Sequence, residues 1–131
     1  MEEKYNNATP QRPSGHRALD GQLVAVDLPR YIEEIKNEAA YHDNGKNAIT
    51  VFKSDHATTT LVALKNGEKI QSGIEEQHLL LSLYVIEGAV SFFVNDKEEY
   101  LSVGQLINYH YERSFQALAH TDCVCLLTVI K

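Results

Sequence analysis

Beyond Gly45, the sequence consists of short β-branched and apolar segments that are separated by turn-forming residues. Segments 48–53 and 58–64 are rich in Ile, Thr and Val, and Asn66 with Gly67 is typical of a tight turn. Six similar segments follow, at residues 78–86, 89–94, 98–101, 105–109, 114–118 and 123–130. Their spacing of about eight to twelve residues is typical of a β-sandwich or a β-barrel. The sequence therefore predicts an all-β domain.

The part of the chain before Gly45 differs in character. Residues 1–22 contain Pro10 and Pro13 and little apolar surface, so they predict a flexible N-terminal arm ahead of one domain at 23–131. Residues 23–26 predict a short strand. Asp27 is then a plausible N-cap, and Pro29 suits the first turn of a helix. One amphipathic helix is expected, ending at Asn44 and Gly45, with an apolar face of Leu28, Ile32, Ile35, Ala39 and His42.

Size and charge narrow the classes of partner. The chain has 131 residues, 44% of them hydrophobic, and a formal net charge of -6, which together fit one globular domain. Nucleic acid and anionic membranes are not expected as partners, because either would require a clustered basic face. No apolar run approaches the roughly 18 to 20 residues that cross a bilayer, and the first residues lack a secretory signal pattern. We therefore expect a cytoplasmic protein.

The last predicted strand is apolar on both faces. Cys123, Cys125 and Leu127 alternate with Val124 and Leu126, so both faces need a cover. One cover is the barrel core, and the other is either the helix or a second subunit. A second subunit at this face would make the protein a homodimer, which we expect. Because the two cysteines point the same way from one strand, we expect buried, reduced thiols and no disulfide between them.

Two segments resemble the paired motifs of the cupin superfamily, whose members are small jelly-roll barrels. The first runs from Gly67 through Tyr84, Val85, Ile86, Glu87 and Gly88 to Phe92, and the second runs from Val103 to Leu118. With residues 126–128 as a closing strand, the likeness covers roughly residues 22 to 131. The resemblance implies a cupin-type jelly-roll barrel with one short N-terminal helix, as in small single-domain bacterial cupins.

The resemblance also implies that the metal site has degenerated. Metal-binding cupins supply a His-x-His pair and a Glu from the first motif and another His from the second. These positions fall here on Glu75, Gln77, Leu80 and Arg113. Since a guanidinium has no lone pair to donate, we expect no metal cofactor. Any metal that did bind would have to use Glu75, His78 or His110.

The same positions predict a ligand site in the mouth of the barrel. One hypothesis is that Glu75 and Arg113 form an ion pair in place of the metal and offer donors to an anionic ligand. The alternative is that either side chain simply turns to solvent. The remaining predicted lining residues are Gln77, Leu80, Ser82, Tyr84, His110 and Phe115, although a filled core would bury the same strand residues without a cavity.

These features favour a metal-independent barrel that binds a small organic molecule, including an anionic one, or that acts as a sensory module. The alternative is a cupin enzyme. It would be a metal-dependent oxygenase, or a metal-free sugar epimerase or isomerase in which His110 and Tyr84 carry protons. A third hypothesis is a structural partner for another protein through the outer sheet.

Overall fold

The computed structural model describes residues 3–6, 17–71, 80–110 and 113–131. The strands of this part of the chain are β1 (Lys4–Asn6), β2 (Arg17–Asp20), β3 (Lys46–Lys53), β4 (Ala57–Leu64), β5 (Lys69–Gln71), β6 (Leu80–Glu87), β7 (Ala89–Val94), β8 (Lys97–Ser102), β9 (Leu106–His110), β10 (Gln116–Ala119) and β11 (Cys123–Ile130). Two short helices, α1 (Leu28–Asn37) and α2 (Ala39–Asn44), lie between β2 and β3. No helix of the described ranges is long and apolar enough to cross a membrane.

Two antiparallel sheets form the body of the domain. The five-stranded sheet has the order β3-β4-β11-β6-β9, and the four-stranded sheet has the order β5-β10-β7-β8. Neighbouring strands such as β4 and β11 are far apart in sequence, so the chain crosses repeatedly between the sheets, as in a jelly roll. The prediction of an all-β jelly-roll barrel is confirmed.

The main core fills the space between the two sheets. Leu81, Leu83 and Val85 of β6 are buried there against Phe92 of β7 and Phe115. Both cysteines belong to this core and are free thiols, as predicted. A hydrogen bond between them lowers the pKa of Cys123 and raises that of Cys125.

A second core lies on the outer face of the five-stranded sheet. Ile35 and Tyr41 of the helices pack there against apolar residues of β3, β4 and β11, among them Val124. Burial raises the pKa of Tyr41, because a phenolate would be poorly solvated at this position. The helices therefore cover one half of the outer face of β11. For this face, the sequence allowed either a helix or a second subunit as the cover.

The helical region is broken where the sequence predicted one helix. The Asp27 side chain accepts a hydrogen bond from the backbone N–H of Arg30 at 3.3 Å, and Gly45 takes the left-handed conformation (φ 77°), so both predicted ends are confirmed. Between them, Glu38 is extended and separates α1 from α2. The Asn47 amide stabilises the break by donating to the carbonyl oxygen of Ile35 at 2.9 Å and to Glu38 at 2.7 Å.

Two predictions for the N-terminal region are wrong. Residues 23–26 do not form a strand, and the Leu23 side chain is 92% exposed. Within the predicted flexible arm, residues 17–20 form β2, which pairs with β1 and lies against β3. Leu19 is buried, and the Arg17 guanidinium donates to the carbonyl oxygen of Thr50 at 2.7 Å. Residues 7–16 of the predicted arm lie outside the described residues.

Candidate functional site

The candidate site is a cleft of about 310 Å³ at one edge of the barrel, between the β7–β8 hairpin and β9. Its lining combines apolar, amide and charged side chains: Phe92, Val94, Asn95, Lys97, Glu99, Ile107, Asn108, Tyr109 and Arg113. We refer to it as the hairpin cleft. Its volume lies at the small end of the range for ligand pockets, roughly 300–1,000 Å³, so it suits a small organic molecule.

Strand alternation explains which side chains reach the hairpin cleft. On β8, Lys97 and Glu99 share a face with Leu101, which is buried in the main core. On β9, Ile107 and Tyr109 face the same core, while their neighbours point to the other side of the sheet. The cleft is therefore the outer continuation of the space between the two sheets.

Aromatic rings form the floor of the hairpin cleft. The ring of Phe92 stacks on Phe115, with centroids 5.1 Å apart, and meets Tyr109 edge to face at 5.9 Å. Such contacts hold the rings in fixed orientations. The floor is thus a rigid apolar surface on which a ligand ring or chain could rest.

The Tyr109 hydroxyl fixes the chain at Arg113. It accepts a hydrogen bond from the backbone N–H of Arg113 at 3.0 Å and donates to the carbonyl oxygen of the same residue at 3.2 Å. Because the backbone N–H and carbonyl of Arg113 are both bonded, the backbone from which the Arg113 side chain extends is fixed beside the cleft. Tyr109 therefore contributes its ring to the floor of the cleft and its hydroxyl to the position of Arg113.

The charges around the hairpin cleft favour an anion. Among the described lining residues, Lys97 and Arg113 are two cations and Glu99 is the one carboxylate. Within the described ranges, neither the Lys97 ammonium nor the Arg113 guanidinium has a hydrogen-bond or ion-pair partner. A guanidinium can bind a carboxylate through two parallel hydrogen bonds, and an ammonium adds a point charge. The cleft can therefore bind a small molecule that has an apolar body and an anionic group.

The structure places the predicted site residues in three different environments. Arg113 lines the hairpin cleft, whereas Phe115 is buried beneath it and does not reach its surface. Glu75, Gln77 and His78 lie outside the described residues. The proposed ion pair between Glu75 and Arg113 therefore stays a prediction.

The residues predicted on β6 face the wrong way for a cavity lining. Leu81, Leu83 and Val85 point into the barrel, so Leu80, Ser82 and Tyr84 lie on the outer face of the five-stranded sheet. Leu81 thus occupies the interior position that the resemblance assigned to Leu80. The Ser82 hydroxyl donates to Asn108 on the same outer face, and Tyr84 is 39% exposed there. A register error of one residue accounts for all three misplacements.

His110 and Tyr84 do not form a catalytic pair. His110 pairs with Leu80 across the β6–β9 ladder, while Tyr84 pairs with Leu106 at the other end. Four residues of extended strand separate the two positions, which is about 13 Å at the rise of a β-strand. Both residues lie on the outer face and not in the hairpin cleft, so the proton-transfer role suggested for them has no geometric support.

Sequence reasoning missed most of the cleft residues. As a local pattern, the charged run of Lys97, Glu98 and Glu99 is typical of a solvated hairpin face. The period-two alternation from Leu101 back to Glu99 and Lys97 was the signal that would have placed these two side chains on the inner side. Glu98 has the opposite parity and contacts Ser91 on the outer face.

The described residues do not fit a divalent metal inside the barrel. No three His, Cys, Asp or Glu side chains of ranges 3–6, 17–71, 80–110 and 113–131 come together in a way that could hold a metal ion. The interior beside Leu81 and Phe115 is apolar except for the thiols of Cys123 and Cys125. The alternative ligands Glu75 and His78 lie outside the described residues, so a site that uses them stays a prediction.

Comparison with known proteins gives the fold. No family model matches the sequence, and no curated protein matches it. A cupin protein described as RmlC-like, from Desulfovibrio desulfuricans, has 19% identity and a TM-score of 0.59, over 67% of this chain and 84% of that one. A Thermus thermophilus protein has 21% identity and a TM-score of 0.68, over 82% of this chain and 97% of that one.

An HTH_3 family transcriptional regulator from Vibrio cholerae also matches, with 17% identity and a TM-score of 0.62 over 69% of this chain. The present chain spans about half of that regulator, 53% of its length. At these sequence identities, the matches show similarity of fold alone. Together with the two-sheet topology, they show that this chain has the fold of the small cupin barrels.

Proposed function

We propose that the chain is a metal-independent binding module whose hairpin cleft takes a small organic anion. The observation that carries the proposal is the pair of cations, Lys97 and Arg113, on the walls above the aromatic floor of Phe92 and Tyr109. The floor supplies apolar contact and the cations supply charge, which is the usual division of roles in a ligand pocket.

The other cleft residues restrict the ligand further. Glu99 repels additional negative charge and accepts hydrogen bonds from hydroxyl groups, while the Asn95 amide can donate and accept. A monocarboxylate with a ring or hydroxyl groups therefore suits the cleft better than a polyanion. Aromatic acids and sugar acids belong to this class.

A sensory role is the context that we favour for such binding. The Vibrio cholerae neighbour is described as a transcriptional regulator, and another match is the Cupin_2 domain of an XRE family transcriptional regulator from Enterobacter cloacae. Barrels of this fold thus occur within regulators, where binding of a small molecule would be the signal. For the present chain this context is a proposal.

A thermal-shift screen tests the binding function, because a ligand that binds the native state raises the melting temperature. The probes are benzoate, glucuronate, succinate and citrate, each compared with a neutral amide or alcohol of similar shape. We expect a monocarboxylate to raise the melting temperature, and Arg113→Gln and Lys97→Gln to remove most of that rise. Lys53→Gln, which changes a lysine outside the cleft, is the matched control and should leave it intact.

Two results would overturn this assignment. One is that none of the acids raises the melting temperature at millimolar concentration. The other is that Lys53→Gln reduces the rise as much as Arg113→Gln does, since the effect would then reflect the overall charge of the protein and not the cleft.

We also propose that the chain forms a homodimer through the outer face of β6, β9 and β11. The helices leave this part of the sheet uncovered, and Tyr84, Leu106 and Ile130 are 39%, 53% and 37% exposed on it. The described residues of this part of the face include no carboxylate: Leu80, Ser82, Tyr84, Leu106, Asn108, His110, Leu126, Thr128 and Ile130. The carboxylate of Glu87, at the end of β6 beside the helices, forms an ion pair with Lys36 of α1 at 2.6 Å. On a chain of net charge -6, two copies would meet there with the least repulsion.

Sedimentation velocity tests the dimer. We expect twice the chain mass at micromolar concentration, and a monomer for Leu106→Lys. Val103→Lys is the matched control, because Val103 is similarly exposed but lies in the turn after β8. A monomeric wild-type protein at tens of micromolar would refute the proposal.

A further inference from the structure

A second opening lies away from the hairpin cleft, where β5 faces the inner side of β3, β4 and β11. Its volume is about 420 Å³. The described residues that line it are Lys46, Asn47, Ala48, Thr60, Val62, Leu64, Lys69, Ile70, Gln71 and Leu127. None of them lines the hairpin cleft, so the two openings are separate. We refer to this one as the edge groove.

The walls of the edge groove are aliphatic. Val62 and Leu64 of β4 and Leu127 of β11 belong to the main core or pack against it, and Ile70 of β5 packs on the same core. The groove therefore opens directly onto the apolar interior. Because its described lining has no aromatic ring, it offers a flexible chain more contact than a flat ring would gain there.

The charged side chains of the edge groove come from two different sheets. Lys46 begins β3 in the five-stranded sheet, and Lys69 begins β5 in the four-stranded sheet. Both side chains are exposed, and in the described part of the chain neither ammonium has an ion-pair or hydrogen-bond partner. The two lysines therefore place two cations on the rim of an apolar slot, with the carboxylate of Glu68 beside Gly45 as their acidic neighbour.

From this arrangement we infer that the edge groove binds an aliphatic monocarboxylate, such as a medium-chain fatty acid. The alkyl chain lies along the half-buried side chains of Ile70 and Leu127, above Val62, and the carboxylate is held by Lys46 and Lys69. Lysine is a point charge and does not demand the bidentate geometry that arginine imposes. Two lysines on a solvent-facing rim therefore fit a mobile carboxylate head.

A chain-length series gives the inference a quantitative signature. Each methylene buried in an apolar slot strengthens binding about fourfold, from roughly 0.8 kcal/mol per CH₂. We expect the affinities of butanoate, hexanoate and octanoate to rise by about that factor per carbon. In a titration of ¹⁵N-labelled protein, octanoate should shift the backbone amide signals of Lys69, Ile70 and Ala48. If octanoate instead shifted chiefly the amide signals near Lys97 and Arg113, the inference would be overturned. An affinity that does not depend on chain length would overturn it as well.

Variants separate the apolar slot from the charged rim. Ala48 is exposed on β3 and lines the groove, so Ala48→Phe should fill the slot and weaken octanoate binding tenfold or more. The double variant Lys46→Gln/Lys69→Gln should weaken octanoate binding about tenfold and leave the weaker binding of octan-1-ol unchanged. Far-UV circular dichroism and the melting temperature without ligand report whether each variant is folded.

Lys97→Gln is the matched control, because it removes one lysine from the hairpin cleft only. It should leave octanoate binding unchanged, and Ala48→Phe should leave the benzoate response of the hairpin cleft unchanged. Equal loss of octanoate binding in Lys97→Gln and in the rim variant would overturn the edge-groove assignment. Octanoate binding that survives Ala48→Phe in a folded protein would do the same.

Discussion

The hydroxyl of Ser91 lies 2.7 Å from Oε2 of Glu98 and 2.6 Å from Nε2 of His120. Ser91 is fully buried, and the His120 ring stacks on Tyr100 with centroids 5.4 Å apart. One hydroxyl therefore joins β7, β8 and the turn between β10 and β11. It can donate to Glu98 while it accepts from His120, so both partners are satisfied at once.

Ser91→Ala should lower the free energy of unfolding by about 0.5–1.5 kcal/mol, because the buried hydroxyl loses its hydrogen bonds to Glu98 and His120. Urea denaturation measures the change. Ser102→Ala is the matched control on β8, where the hydroxyl is exposed, and it should stay within about 0.5 kcal/mol of wild type. Equal effects of the two changes would contradict the buried bridge.

Among the glycines that the structure describes, Gly88 is expected to be the least replaceable. It has a φ of 79°, and a side chain there would overlap the carbonyl oxygen of Asp122 and approach Thr121. Gly104 has a similar φ of 86° but open space around it. Gly104→Ala should therefore cost only the backbone strain, about 1–2 kcal/mol, while Gly88→Ala costs more than twice as much or prevents folding. Thermal unfolding of both variants checks the order, and similar melting temperatures would contradict it.

The protein should lose stability as the pH rises above about 10, the ordinary pKa of tyrosine. Burial raises the pKa of Tyr41 in the folded state, so the unfolded chain releases this proton first. A raised folded pKa contributes stability that is complete below the unfolded pKa and is lost as the pH increases. Tyr41→Phe keeps the ring and should show a shallower loss between pH 9 and 11 in urea titrations. Identical pH slopes for variant and wild type would refute this role.

Tyr109→Phe should loosen the chain at Arg113 without unfolding the barrel. The hydroxyl binds both backbone groups of Arg113, so its removal should speed the hydrogen exchange of that amide at least tenfold. Tyr100→Phe is the control, because Tyr100 stacks on His120 and does not touch Arg113. Unchanged exchange at Arg113 in Tyr109→Phe would show that the hydroxyl does not hold this segment.

The sequence predicted the architecture better than the site. Glycines, β-branched segments and the Asp27 cap are local signals, and they placed the long strands after Gly45 and the ends of the helical region. They did not predict β1, β2 or the short strand β5. The prediction of which β6 side chains point into the barrel was wrong, because residues 79–86 are almost uniformly apolar. In such a segment, alternation does not distinguish the inner face from the outer one. Leu81 and Leu80 are chemically identical, and only tertiary packing decides between them.

The hairpin cleft itself depends on contacts that are remote in sequence. Lys97 and Arg113 meet because β8 and β9 lie at the same edge of the two sheets, and no local pattern links them. The break at Glu38 and the burial of Leu19 were equally out of reach, since both depend on packing against β3. Sequence reasoning identified Arg113, but through an expected partner, Glu75, that lies outside the described residues.

Binding of a small anion in the hairpin cleft should involve the Arg113 guanidinium directly. The chain has four arginines, so the Nε–Hε signals in a ¹⁵N–¹H spectrum can be followed individually, and Arg113→Lys identifies the signal of interest. We predict that benzoate or glucuronate shifts this signal saturably and that benzamide does not. Signals of Arg113 that stay fixed with every acid, or that move no more than those of Arg17 and Arg30, would contradict the account.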